Sequence, residues 1–410
     1  MFGSNKSLMI PKKTKRFFSG SDLADKLSSE FFFEGAVCNF AISGQGNKEH
    51  MISHVLGASA GRLPVIVLHN NNNGMMAEIA NVWTQEFGSL TYAEEGPLWS
   101  CSTGQFEPFL GMGEQDIIQI LRQLTDVLGY QATPSFERVV KAHLSILRHM
   151  GCPYSLSGLH YLCSFEDLEE FQNNVLALNC SPAEKNRIIA NLCLANEKEQ
   201  EQFEQFRSMI SRMAYEAEKS GWTPNGEVGS MSITTAIRNR AMMTISISAA
   251  KSPFLLAYLA QELQLHIDER CLLLIDDVYL ENSGILSVLR ETGFEFRFGI
   301  LSGNILEMIS SNLEEAQRFC EKLDLIVLLR HNVDTTADAL SALLGNEEIV
   351  KETETAGVGK EFFAWIPGTK HKAVARSLEN ERRVKSERIL DLRDGEAIVF
   401  RTGSNEIIFL

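Results

Sequence analysis

Apolar and polar positions follow two different rhythms along this chain. Near the start, the run GAVCNFAIS (35–43) is a short, nearly continuous apolar segment, SGQGNKEH (43–50) a polar glycine turn, and MISHVLGASAG (51–61) has helical spacing. LPVIVLHN (63–70) is a second continuous apolar run, ending in Asn70–Asn73 and Gly74. Strand, glycine turn, helix and strand make a βαβ unit, and strands without alternation imply a sheet covered on both faces. The Asn-rich end of the second strand falls where ligands gather in such sheets, at the carboxyl ends of the strands.

Between about 110 and 222 the rhythm is helical throughout. EQDIIQILRQLTDVLGY, SFERVVKAHLSILRHM and EKEQEQFEQFRSMISRMAYEAEKSGW are amphipathic at the helical period. SFEDLEEFQNNVLAL opens on a Ser164-x-x-Asp167 cap pattern, and SPAEKNRIIANLCLA places Ser181 before proline at a helix start. After Gly226 strands return. AMMTISIS, CLLLIDDVYL, FEFRFGILSG and DLIVLLR read as strands, separated by helices in FLLAYLAQELQLHI, ILSVLRETG and NILEMISSNLEEAQRFCEKL and followed by one in DTTADALSALLG. A closing hairpin is expected to turn at Gly403–Asn405. This alternation predicts an α/β fold, a mostly parallel sheet interrupted by an all-α insertion. The expected division is an N-terminal arm over 1–30 (with a short helix around 21–29), sheet domain over 31–109, helical insertion over 110–222 and sheet domain again over 223–410.

With 410 residues the chain is long enough for two or three such units. No run approaches the roughly 20 apolar residues that span a bilayer, and the basic cluster Lys12, Lys13, Lys15 and Arg16 is followed by no apolar leader segment. Eight scattered cysteines form no C-x-x-C pair, which fits a reducing cytoplasm. A net charge of −15 argues against a free-standing duplex-binding module. It does not argue against a ring carrying a few basic residues in its channel.

Two segments can carry chemistry. In Ser43-Gly44-Gln45-Gly46-Asn47-Lys48-Glu49 the glycines and lysine stand between a strand and a helix, where backbone N–H groups and an ammonium would cradle phosphate. Asn47 disturbs the usual spacing, and Glu49 stands where a hydroxyl would meet magnesium. A plain glycine turn capping a helix is the alternative. In Leu272-Leu273-Leu274-Ile275-Asp276-Asp277 an apolar strand ends in two carboxylates, with Asp276 placed to hold Mg2+ and Asp277 to orient the attacking water. ATP with Mg2+ is the pair these segments would bind. Arg330, ending a strand, is the favoured arginine for a neighbouring subunit's phosphate, with Arg238, Arg240 and Arg297 also weighed. His50, His54 and His69 form a weaker zinc alternative.

The order of these pieces resembles the conjugative coupling-protein ATPases (TraG/TraD type) of type IV secretion, within the FtsK/HerA ring motors. LLLIDDVYLENSGILSVLRETG, FRFGILSGNILEM, DLIVLLRHNVDTTADALSALLGNEEI and DLRDGEAIV carry the resemblance, together with the position of the helical insertion. It implies a RecA-like P-loop NTPase core and a homo-oligomer, by the superfamily a hexamer. It also implies partners in secretion or conjugation machinery, with DNA or protein as cargo. The departures fall on the chemistry: the altered phosphate loop, His69 and asparagines in place of an aspartate-proline-lysine-glycine segment, and Ser302 or Asn304 where the sensor glutamine is expected. A catalytically inactive relative, serving as cargo adaptor or scaffold, is the competing expectation.

Overall fold

The computed structural model describes residues 39–46, 63–70, 99–100, 106–165, 168–192, 196–220, 222, 231–247, 253–281, 284–290, 296–358 and 370–410. The predicted helices at 21–29 and 51–61 lie outside them.

Among the described residues nine strands form one sheet: β1 (Phe40–Ser43), β2 (Val65–His69), β3 (Trp99–Ser100), β4 (Met242–Ser246), β5 (Cys271–Asp276), β6 (Phe296–Ser302), β7 (Leu325–Leu328), β10 (Ile398–Arg401) and β11 (Glu406–Phe409). Their order is β11-β10-β7-β1-β6-β5-β2-β4-β3. Among the described residues, the seven strands β1 to β7 pair in parallel, and only the closing hairpin β10–β11 joins antiparallel, against β7. Every described side chain of β1, β2 and β5 is buried, as continuous apolar strands require when helices cover both faces. The close fit has a cost in residue choice. Gly299 on β6 faces the Phe40 ring on β1, and a Cβ there would overlap the ring. The closing turn falls where the sequence put it, with Asn405 in the left-handed region at φ 55° and held by Arg383.

Between Phe106 and Trp222 the described residues hold six successive helices: α1 (Glu114–Val127), α2 (Pro134–Met150), α3 (Leu156–Cys163), α4 (Leu168–Ala177), α5 (Pro182–Asn191) and α6 (Glu197–Lys219). Ser181 caps α5 in a reciprocal box with Glu184, as SPAE predicts. Ser164, by contrast, ends α3, its hydroxyl donating to the Tyr161 carbonyl at 2.7 Å, and does not open the next helix.

The return to the sheet runs through α7 (Ile233–Arg238) and α8 (Pro253–Gln264), then α9 (Ile285–Arg290). Helices α1 and α6 pack directly on α8, so the helical segment shares one apolar core with the sheet. Phe109 meets Tyr258 edge-on at 5.2 Å, and Phe106 meets Trp222 at 4.6 Å.

The single helix expected over 304–323 is two: α10 (Ile305–Ile309) and α11 (Leu313–Cys320). Ser310 turns extended (φ −158°) and Asn312 caps α11 through its side chain. Short polar side chains that bond nearby backbone favour caps over helix interiors, and Ser310-Ser311-Asn312 is such a run. Helix α12 (Asp334–Leu343) follows β7.

A two-stranded antiparallel ribbon, β8 (Asn346–Val358) with β9 (Lys370–Arg382), forms a separate sheet that the sequence reading did not anticipate. Helix α13 (Ser386–Leu390) leads from it to β10. No helix among the described residues is long and apolar enough to cross a membrane.

Candidate functional site

Parallel pairing aligns the carboxyl ends of five neighbouring strands. Ser43 on β1 registers with Ser302 on β6 and with Leu328 on β7, while Asp276 on β5 registers with Leu301 and with His69 on β2. Sheet order sends the chain from β1 toward the β2 side and from β6 toward the β7 side. Because crossovers between parallel strands are right-handed, connections that run in opposite directions leave on opposite faces, and a crevice opens between β1 and β6 at their carboxyl edge.

The glycine turn leaves β1 at that crevice. Gly44 has φ 123° and Gly46 φ 90°, conformations that L side chains rarely adopt. A Cβ on Gly44 would come within 2.9 Å of the Leu329 and Arg330 backbone, whereas a Cβ on the exposed Gly46 would have no atom of the described residues within 4 Å. The Gly44 amide donates to the Ser302 carbonyl at 3.0 Å and the Gln45 amide to the Arg330 carbonyl at 3.1 Å. These two N–H groups therefore stitch the turn to β6 and to the residues after β7. Any backbone donors for an anion begin at Gly46. Asn47, Lys48 and Glu49 lie outside the described residues, as do His50 and His54.

One strand away across β6, β5 delivers the two carboxylates. Asp276 is buried at the strand end; Asp277 is exposed, in the left-handed region at φ 50°. The turn is pinned by the Asp277 amide, which donates to the Leu301 carbonyl at 3.0 Å. The Ser302 hydroxyl donates to Asp277 Oδ1 at 2.7 Å, tying the strand between the glycine turn and the acidic pair to the outer carboxylate. Asn304, the other residue at the expected sensor position, donates its backbone amide to Ser302 Oγ at 3.2 Å and its Nδ2 to Glu307 and Thr336.

On the β7 side a cleft of about 530 Å³ opens among Gln45, Asn304, Arg330, His331 and Thr336. Arg330 is exposed on its rim, two residues past β7. His331 is buried, which lowers its pKa against the opposing hydrogen bond to the Ser43 backbone, so the ring is neutral near pH 7. His331 Nε2 and Asn304 Oδ1 are buried without a hydrogen-bond partner among the described residues. Buried polar atoms are ordinarily paired, so two beside one cleft mark it as unfinished without a ligand or water. Sequence reading missed His331, whose only signal is a polar residue just past a buried strand.

His69, at the end of β2, is fully buried, and burial alone depresses its pKa to about 4. The other arginines lie elsewhere. Arg297 sits opposite Leu272, at the amino-terminal half of β6. Arg240 precedes β4 at the far edge of the sheet, and Arg238 on α7 donates to the Gly111 carbonyl. Of the sequence candidates, the fold thus gathers Gly44, Gln45, Gly46, Asp276, Asp277 and Arg330 along one edge of the sheet.

The sequence matches no protein-family model and no curated protein. Solved structures do match. The bacterial conjugative coupling protein TrwBdeltaN70, in an unbound monoclinic form, aligns with TM-score 0.50 over 98% of this chain and 91% of that one, at 14% identity. The plasmid coupling protein TrwB with the GTP analogue GDPNP gives 0.49 at 15% identity, covering 98% and 92%. VirB4 of Thermoanaerobacter pseudethanolicus gives 0.48 at 12%, covering 91% and 88%. At such identity the likeness to TrwBdeltaN70 is one of architecture: the chain has a conjugative coupling-protein-like, RecA-type α/β fold.

Proposed function

We propose that this chain is a coupling-protein-like ring ATPase that recruits or translocates DNA or protein cargo for conjugation or type IV secretion. The observation that carries the reading is the alignment, on one sheet edge, of a positive-φ glycine turn with Asp276 and a Ser302-bonded Asp277. The donor set suits the expected ligands. Carboxylate oxygens are the hard donors magnesium prefers, and an exposed glycine turn leading into Lys48 suits a polyphosphate. Gly44 and Gln45 would frame the phosphate loop. Gly46, Asn47, Lys48 and Glu49 would form its contact surface, with Lys48 on phosphate. Asp276 would hold Mg2+, which when bound to ATP neutralises phosphate charge. Asp277, aimed by Ser302, would orient the attacking water, and Arg330 would reach the site of a neighbour in a homo-oligomer, by analogy a hexamer. In this reading residues 1–30 are an arm, 31–109 and 223–410 the RecA-like domain, and 110–222 the cargo-facing helical domain of a cytoplasmic protein that reaches the membrane through its partners.

A second reading rests on Glu49. A carboxylate in place of the magnesium-binding hydroxyl repels phosphate, which favours a non-hydrolysing adaptor. Calorimetric titration of the full chain with Mg2+-ATP separates the two. The ATPase reading expects saturable binding that Lys48→Ala weakens at least about tenfold, since a charge-assisted contact is worth about 1.5–3 kcal/mol. A folded protein with no binding at concentrations that saturate ordinary ATPases would leave the adaptor.

A further inference from the structure

We infer that His149, Cys180 and Glu184 form a binding site for a zinc-class divalent cation in the helical segment, unconnected with nucleotide. One ligand atom from each residue lies within 4.8 Å of the others. His149 is in the last turn of α2, Cys180 precedes α5, and Glu184 is in the first turn of α5, which packs on α2. Two elements distant in sequence thus converge with an imidazole, a thiol and a carboxylate.

The donor types select the metal. Nitrogen, sulfur and oxygen together suit zinc, whereas calcium and magnesium take oxygen alone. In a tetrahedral site with bonds of 2.0–2.3 Å the ligand atoms stand about 3.5 Å apart, so the widest pair here closes by roughly 1 Å. Side-chain rotation supplies that, because His149 and Cys180 are half-buried and Glu184 is exposed. The carboxylate is already oriented: its Oε2 accepts from the Ser181 amide at 3.1 Å and the Ser181 hydroxyl at 2.9 Å, leaving Oε1 for the ion. Hydrogen bonds that aim a ligand in this way are a regular part of metal sites. Three protein ligands at a solvent-facing corner leave the fourth position to water. Met150 and Leu178, beside the ligands in sequence, line an apolar groove of about 220 Å³, so a bound ion would fix one rim of it.

Cobalt titration of the full chain tests the site, because Co2+ substitutes for zinc and reports a thiolate ligand through its near-ultraviolet charge-transfer band. One equivalent should bind with that band, and zinc should raise the melting temperature of the wild type. Cys180→Ser should abolish the band. Glu184→Gln keeps a residue able to complete the capping box, and it should weaken binding at least about tenfold, as loss even of an orienting partner does. Absence of the band in the wild type, or its persistence in Cys180→Ser, overturns the site. If Cys180→Ser does not fold, unchanged affinity in Glu184→Gln overturns it equally.

Discussion

Glu262 and Asp277 are both carboxylates bonded to hydroxyls, and the contrast between their surroundings separates scaffold from site. Glu262 on α8 is wholly enclosed. Its Oε1 accepts from the Thr234 amide at 3.0 Å and hydroxyl at 3.2 Å, and its Oε2 from the Tyr258 hydroxyl at 2.7 Å. Tyr258 in turn accepts from the Phe109 amide at 3.0 Å, and Thr234 meets His266 at 2.9 Å. Desolvation raises the Glu262 pKa, and the donors around it only oppose that rise. This is a perturbed group with no room for a ligand; it ties α7, through Thr234, and the Phe109 turn, through Tyr258, to α8. Asp277 takes one hydroxyl, stays exposed, and shares its edge of the sheet with Asn304 Oδ1 and His331 Nε2, buried and without a partner among the described residues. Burial and a shifted pKa do not by themselves mark a site. Spare bonding capacity at an open crevice does.

The comparison can be broken in descending order of effect. On the site side, Asp276→Ala should reduce Mg2+-dependent ATP turnover by on the order of 100-fold or more, measured by steady-state phosphate release. On the scaffold side, Glu262→Ala should cost about 3 kcal/mol in urea unfolding, because it strands the Tyr258 hydroxyl and the Thr234 amide. It should leave ATP affinity unchanged in the protein that remains folded. The pH dependence of stability divides further. Glu262 has a raised folded pKa, so its contribution is present below the ordinary carboxylate value and is lost as pH rises through the folded value. His143 has the opposite sign. It lies buried among Phe171, Phe203 and Phe206, and desolvation is the first cause lowering its pKa from 6.5 to about 4. Its contribution is present above pH 6.5 and is lost as pH falls toward 4, by roughly 3 kcal/mol. Denaturation midpoints at pH 7 and pH 4.5 should therefore differ less in His143→Phe than in the wild type. The smallest effect is expected for Ser302→Ala, which removes one hydrogen bond from Asp277 and should slow turnover roughly fivefold.

Much of the sheet was legible because its strands are long in meaning relative to their length. VIVLH and CLLLID are continuous apolar runs, which only a doubly covered sheet buries completely. The β8–β9 ribbon escaped because VKETETA alternates β-formers with charges and offers no core face to count. At the site, Gly44–Gly46 and Asp276–Asp277 announced themselves by position at strand ends. The bond from Ser302 to Asp277 did not, since it depends on β6 lying between β1 and β5, an order that spacing along the chain does not specify. Glu262 left a trace that went unread: one carboxylate four residues after Tyr258 on an apolar helix face, a pairing that calls for buried partners.

The central claim is that the Asp277 edge of the sheet works on nucleotide. Asparagine is among the residues that tolerate the left-handed backbone found at Asp277, so Asp277→Asn alters the chemistry with the least disturbance of the turn. Magnesium-dependent ATP turnover by the full chain, wild type against Asp277→Asn, should fall by roughly 100-fold with the melting temperature unchanged. Equal turnover in the two proteins, or none in a folded wild type, would contradict the assignment.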